Sequence, residues 1–88
     1  MDPGIEKAAN ALSDRHRLAI LLEVARNSKA GCGDFGRLTG LSQPAVSHHV
    51  KILVDAAVLS YDKCGRQVQL SVNKNMMRRL SLFFLELC

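Results

Sequence analysis

The chain has little aromatic character: no tryptophan, one tyrosine and three phenylalanines, 5% of 88 residues, against 48% hydrophobic residues overall. Its core must therefore be aliphatic and mainly helical. It also lacks a long apolar run. The longest, LSLFFLELC, falls far short of the roughly 20 residues a spanning helix needs. Three cysteines, Cys32, Cys64 and Cys88, are odd in number and widely spaced, which excludes a disulfide framework. The opening MDPGIEKAAN has no basic stretch leading into an apolar one, so no secretory signal is expected. A reducing, prokaryotic cytoplasm, close to the nucleoid, is the expected setting. Repeats, low-complexity tracts and linkers are absent too, so residues 1–88 are expected to form a single domain. A domain of this size buries only about two-thirds of the surface its unfolded chain exposes, and a partner chain would relieve that weakness.

What is present is helical periodicity with one interruption. Asp2 can cap a first helix, with Pro3 in its first turn. Ile5, Ala8, Ala9 and Leu12 then follow as one stripe. SDRHRLAILLEVARNSKAG reads as a second helix, capped by Ser13 or Asp14 and ended by Gly31. Leu18, Leu21, Leu22 and Ala25 form its stripe, widened by Ile20 and Val24. GCGDFGRLTG is a short, weak third helix with Phe35 and Leu38 expected to face inward. Gly40 breaks the chain. LSYDKCGRQVQLSV alternates as a hairpin, with Leu59 and Tyr61 on one strand, Val68, Leu70 and Val72 on the other, and Lys63 to Arg66 in the turn. NKNMMRRLSLFFLELC is a last helix, apolar almost all round.

Between Gly40 and the hairpin lies LSQPAVSHHVKIL. Ser42 caps this fourth helix, and Pro44 sits in its first turn, where a missing N–H does no harm. Val46, Val50, Leu53, Val54 and Ala57 share one face at 100° per residue, while Pro44, His48, Lys51 and Asp55 take the other. Gln43 and Ser47 flank the polar side. His49 falls at the edge of the buried face. Adjacent helical residues point about 100° apart, so the His48–His49 pair is no ligand signal. This order of elements is that of a winged helix-turn-helix: mainly α with a small β-hairpin, α-α-α-α-β-β-α. A capped helix with an exposed polar start can enter the major groove, where base edges differ in donor and acceptor pattern. Gln43 can pair with adenine, and Ser47 and His48 with a base edge or a phosphate. Lys51 and the basic hairpin tip can neutralise phosphates, which sets register without reading sequence. The net charge of +4 suits such a partner.

ALSDRHRLAILLEVA followed by LTGLSQPAVSHHVKILVDAAVL resembles the ArsR/SmtB family of small transcriptional repressors, over about residues 11–72. The resemblance implies a homodimer joined through its first and last helices on an inverted-repeat double-stranded operator, with the wing at the flanking minor groove. It places Gln43, Pro44, Ser47 and His48 at the DNA and matches Arg66 to the family's wing arginine. With the residues read above, the expected DNA-facing set is Ser42, Gln43, Pro44, Ser47, His48, Lys51, Lys63 and Arg66. The expected dimer interface is Ile5, Ala8, Leu12, Met76, Leu80, Phe83, Phe84 and Leu87.

Family members are commonly released from DNA by a metal ion or arsenite. One familiar site is a Cys-x-Cys before the reading helix. Here CGDFGRL offers one cysteine. Another uses Asp, His and Glu along the last helix. Here MMRRLSLFFLELC offers only Glu86 and Cys88. No metal site and no cofactor are therefore expected, and a small inducer, if there is one, is unnamed by the sequence. Cys32, at a helix start that favours a thiolate, is a candidate sensing thiol, which leaves a redox-responsive repressor open as one alternative. A winged helix used for protein–protein contact is another. No phosphate loop and no nucleophile with a base suggest an enzyme, since Ser47 and His48 do not face each other. No membrane partner is expected.

Overall fold

The computed structural model describes residues 2–65 and 67–88, without the side chains of Cys32, Cys64, Gln67 and Val68. Arg66 lies outside the described residues, as do the thiols of Cys32 and Cys64. Five helices and one hairpin follow in order: α1 Pro3–Ala11, α2 Arg15–Arg26, α3 Cys32–Thr39, α4 Gln43–Asp55, β1 Leu59–Cys64, β2 Gln67–Val72 and α5 Lys74–Glu86. The strands are antiparallel, pairing Leu59 with Val72 and Tyr61 with Leu70.

Each helix start is made by a short polar side chain or a glycine. Asp2 accepts from the Gly4 N–H at 2.8 Å, and Asp14 from the His16 and Arg17 N–H groups at 2.8 and 3.1 Å. Asn73 serves α5 in the same way. Gly31 begins α3, its N–H donating to the Asp34 carboxylate at 2.9 Å. α2 thus ends at Arg26, capped by Asn27, and not at Gly31, which belongs to the next helix. The expected four-residue hairpin turn also tightens. Lys63 and Cys64 are strand residues paired with Val68 and Gln67, and Gly65 turns the chain at φ 63°, where a Cβ would be strained.

The core is aliphatic apart from Phe35. Phe35, Ile20, Leu53, Val46 and Val58 are fully buried, and Ile5, Ala8, Ala11, Met76 and Leu80 close it from the α1 and α5 side. Burying such a large side chain stabilises by roughly 1.5–3 kcal/mol. α1 packs on α5, α2 on α3, α4 and β2, and α3 on α4. No polar or charged residue is buried among those described.

Two expectations about burial are corrected. In α2 the inward residues are Ile20 and Val24, whereas Leu18 and Leu22 are 42% and 64% exposed. The helix carries apolar residues over more than half its circumference, so periodicity alone cannot choose the face, and packing against α4 and β2 does. Leu38 is likewise exposed beside Leu22. Ile5, Ala8, Met76 and Leu80, named above for a dimer interface, are buried in the protomer's own core, where α1 packs on α5. Leu12 and Phe83 are partly buried against that core. Phe84 and Leu87 remain exposed, joined by Leu82 and Leu85.

α4 ends on a left-handed residue. The Val58 N–H reaches the Leu53 carbonyl at 3.0 Å and the Ala57 N–H the Val54 carbonyl at 2.9 Å, the pairing of a Schellman motif. Val58 and Leu53 are both fully buried beside it. The residue that must take positive φ is Ala57, at 61°, where an L side chain is strained. Ala57→Gly should therefore raise unfolding stability by about 1 kcal/mol, since the relieved strain exceeds the extra entropy glycine brings to the unfolded chain. Urea denaturation measures it, and an unchanged or lower midpoint would contradict the strain.

Candidate nucleic-acid interface

The turn before α4 fixes how that helix leaves the body. Gly40 closes α3 in the left-handed conformation, φ 74°, with its N–H on the Gly36 carbonyl. The Thr39 hydroxyl donates to the Phe35 carbonyl at 2.7 Å and accepts from the Leu41 N–H at 3.3 Å. Ser42 then caps α4, its Oγ accepting from the Ala45 N–H at 3.4 Å. Pro44, in the first turn, forfeits no helical hydrogen bond.

From that start α4 divides lengthwise. Val46 and Leu53 have no exposed surface, and Val50 and Val54 pack against the same core. Ser42, Gln43, Pro44, Ser47, His48, Lys51 and Asp55 are exposed. Gln43, Ser47 and Lys51 recur every four residues, and Pro44 and His48 form a parallel row, so the polar groups share one side. Residues 43 to 51 extend about 12 Å along the axis at 1.5 Å per residue, comparable with the roughly 12 Å width of the major groove. Amide, hydroxyl, imidazole and ammonium together supply donors and acceptors for base edges, and a cation for phosphate.

The hairpin carries the second part of the expected site. Lys63 is exposed on β1. Arg66, expected beside it, lies outside the described residues. Tyr61 is 53% exposed although it alternates with the buried Leu59 and pairs with the buried Leu70. Cys32, the candidate sensing thiol, opens α3, but its side chain is outside the description. Among the described residues no three His, Cys, Asp or Glu side chains come close enough to hold a metal ion. No helix among them is long and apolar enough to cross a membrane.

Sequence reasoning missed a contact behind the exposed face. His49 is half-buried. Arg17 of α2 places a terminal guanidinium nitrogen 3.3 Å from its Nδ1 and donates from Nε to the Ala11 carbonyl at 2.6 Å. The His16 and His48 rings flank His49 at centroid distances of 5.8 and 6.0 Å. Burial pushes His49 below the ordinary imidazole range. Asp14 opposes that shift, while Arg17, His16 and His48 reinforce it. The visible signal was an arginine in the first turn of α2, which fits a solvated surface equally well.

A capped helix with one buried and one polar side, set by a short turn from the helix before it and followed by a hairpin, defines a winged helix-turn-helix protein. Residues 12–61 match the family model described as a helix-turn-helix domain. The chain is 31% identical over 68 residues to the transcriptional repressor SdpR of Bacillus subtilis, covering 77% of this chain and 74% of that protein. It is 32% identical over 71 residues to the transcriptional repressor SmtB homolog of a Synechocystis species, covering 81% of this chain and 53% of that one. An ArsR-like transcriptional regulator from a Rhodococcus species superimposes with TM-score 0.81 at 19% identity, over 96% of this chain and 78% of that one. A homodimeric winged helix-turn-helix DNA-binding domain from Mycobacterium bovis does so with TM-score 0.72 at 18% identity, over 93% and 76%. The chain belongs to the ArsR/SmtB family of helix-turn-helix transcriptional regulators.

The caps behind this face are sensitive to acid. Backbone N–H groups, that of Arg17 foremost, hold the Asp14 carboxyl below its ordinary value. Those of Gly4 and Gly31 do the same for Asp2 and Asp34, aided by Arg79 and Arg37. A depressed carboxylate pKa adds stability above the ordinary value that is lost as pH falls through the depressed one. Asp14→Asn, which keeps a cap but no charge, should be less stable than wild type at pH 7 and converge with it below about pH 4. Urea midpoints across that range measure the gap, and a constant difference would contradict a charge effect.

Proposed function

We propose that the chain represses transcription by binding an inverted-repeat operator as a homodimer, with α4 in the major groove and the hairpin along the flanking backbone. The observation that carries this is the exposed polar row on α4 directly opposite Val46 and Leu53. Gln43, Ser47 and His48 read base edges. Ser42 and Pro44 face the DNA at the helix start. Lys51, Lys63 and Arg66 neutralise phosphates. Repression follows from occlusion of the promoter.

The reading needs two copies, because two-fold symmetry presents two reading helices about 34 Å apart, one duplex turn. Exposed Leu82, Phe84, Leu85 and Leu87 on α5 supply an apolar face for self-association, and the homodimeric state of the Mycobacterium bovis domain supports it. Residues 1–88 act as one module in the cytoplasm, binding DNA without catalysis or a cofactor.

Binding energy should divide by residue. Gln43→Ala should relax preference at one base pair by about 1–3 kcal/mol. Lys63→Ala and Arg66→Ala should instead weaken all duplexes alike and each reduce the steep dependence of log affinity on log salt. Operator selection from random duplexes, followed by salt titration of each variant, measures both. Equal, sequence-independent losses from Gln43→Ala and Arg66→Ala would contradict the division. A shallow salt slope for wild type on every duplex would favour a protein-contact module.

A further inference from the structure

His49 sits where three helices meet. His48 before it and Ser47 one position further back belong to the exposed row of α4, and its ring faces Arg17 of α2. Arg17 holds both the Ala11 carbonyl at the end of α1 and the Nδ1 of His49 in the middle of α4. It therefore ties the reading helix to the two helices behind it. From the structure we propose that Arg17 and His49 are a positioning pair that sets the reading helix on the body, and that the tie holds only while His49 is neutral. The inference rests on the operator-reading role of α4.

The chemistry of the contact gives the condition. A guanidinium group has donors and no acceptor. His49 Nδ1 must therefore accept, which leaves the ring proton on Nε2. An imidazolium carries protons on both nitrogens and offers no acceptor. Protonation thus removes the bond and sets one cation against another. Arg17 keeps its bond to Ala11 but loses its hold on α4.

The charged surroundings fix the direction. On α2, His49 faces Arg17 and His16, with Asp14 at the cap. On α4 it faces His48. From α1, Lys7 lines the same cleft as Arg17, together with Asp55 of α4. Burial and the neighbouring cations outweigh Asp14, so His49 stays neutral below the ordinary imidazole value of about 6.5. As pH falls through that value the unfolded chain takes up the proton and the folded chain resists. The contribution of the tie is therefore intact above about 6.5 and is lost on the acid side of it. Hydrogen bonds to base edges tolerate only a few tenths of an ångström, so a loosened reading helix loses sequence-specific contacts first.

His49→Asn isolates the proton, since the Asn Oδ1 can stand in for Nδ1 as an acceptor and does not titrate. Affinity for a selected duplex would be measured from pH 8 to pH 5.5 for wild type and His49→Asn. The two should agree within about threefold at pH 8, and wild type should then lose affinity further than His49→Asn toward pH 5.5, by less than the roughly tenfold an unshifted imidazole would give, because His49 is held below the ordinary value. The exposed His48 is present in both proteins, so its contribution cancels. Parallel profiles would overturn the proposal. Nitrogen NMR of the imidazole in DNA-free wild type decides the contact independently. The Nε2–H tautomer with a bare Nδ1 is expected at pH 8, and the Nδ1–H tautomer would overturn the pair. Failure of wild type to bind any duplex would count against the operator reading, and the tautomer would still settle the pair.

Discussion

Everything in this structure depends on α4 being held by one side only. Val46 and Leu53 are fully buried on that side, and their burial is worth roughly 1.5–3 kcal/mol each. A turn of the helix by one residue, about 100°, would expose that surface and carry Ser47 and His48 toward the interior. Both ends are also fixed. Gly40 and Ser42 set where α4 begins, and the left-handed Ala57 sets where it stops. Rotation and length are thus determined by the core and the caps, which frees the outward side chains to be chosen for contact alone.

The same economy shapes the rest of the chain. With few aromatics and 88 residues, α1 and α5 are consumed in closing the core through Ile5, Ala8, Met76 and Leu80. What α5 leaves outside, Leu82, Phe84, Leu85 and Leu87, is an apolar face that a second copy would cover. Under the proposed dimer, stability and symmetry would have a common source, because the surface joining two protomers would also space two reading helices. The Arg17 contacts add a polar tie where α1, α2 and α4 converge, in a protein with no fully buried polar residue among those described.

Much of this was legible in the sequence where two signals agreed. On α4, the Ser42 cap, the place of Pro44 and the apolar period at Val46, Val50 and Leu53 all point to one helix with one buried side. The hairpin announced itself by alternation around Gly65. Legibility failed where apolar residues outnumbered the faces available. α2 offers two overlapping stripes, and only its packing on α4 and β2 selects Ile20 and Val24 over Leu18 and Leu22. α5 exposes apolar Leu82, Phe84 and Leu85 beside its polar Arg78, Arg79 and Ser81, so its sequence alone does not say which apolar residues meet α1 and which meet solvent. Arg17 and His49 are 32 positions apart, and nothing local to either marks the other as its partner.

The central claim is that the polar row of α4 is the surface that meets DNA. Backbone and side-chain NMR shifts, followed while a selected duplex is added, test it most directly. The account predicts that the largest changes fall on residues 42–51 and on the hairpin tip, with the buried side of α4 little altered. Changes gathered on α2 and α3 around Leu22 and Leu38, with 42–51 unmoved, would contradict it.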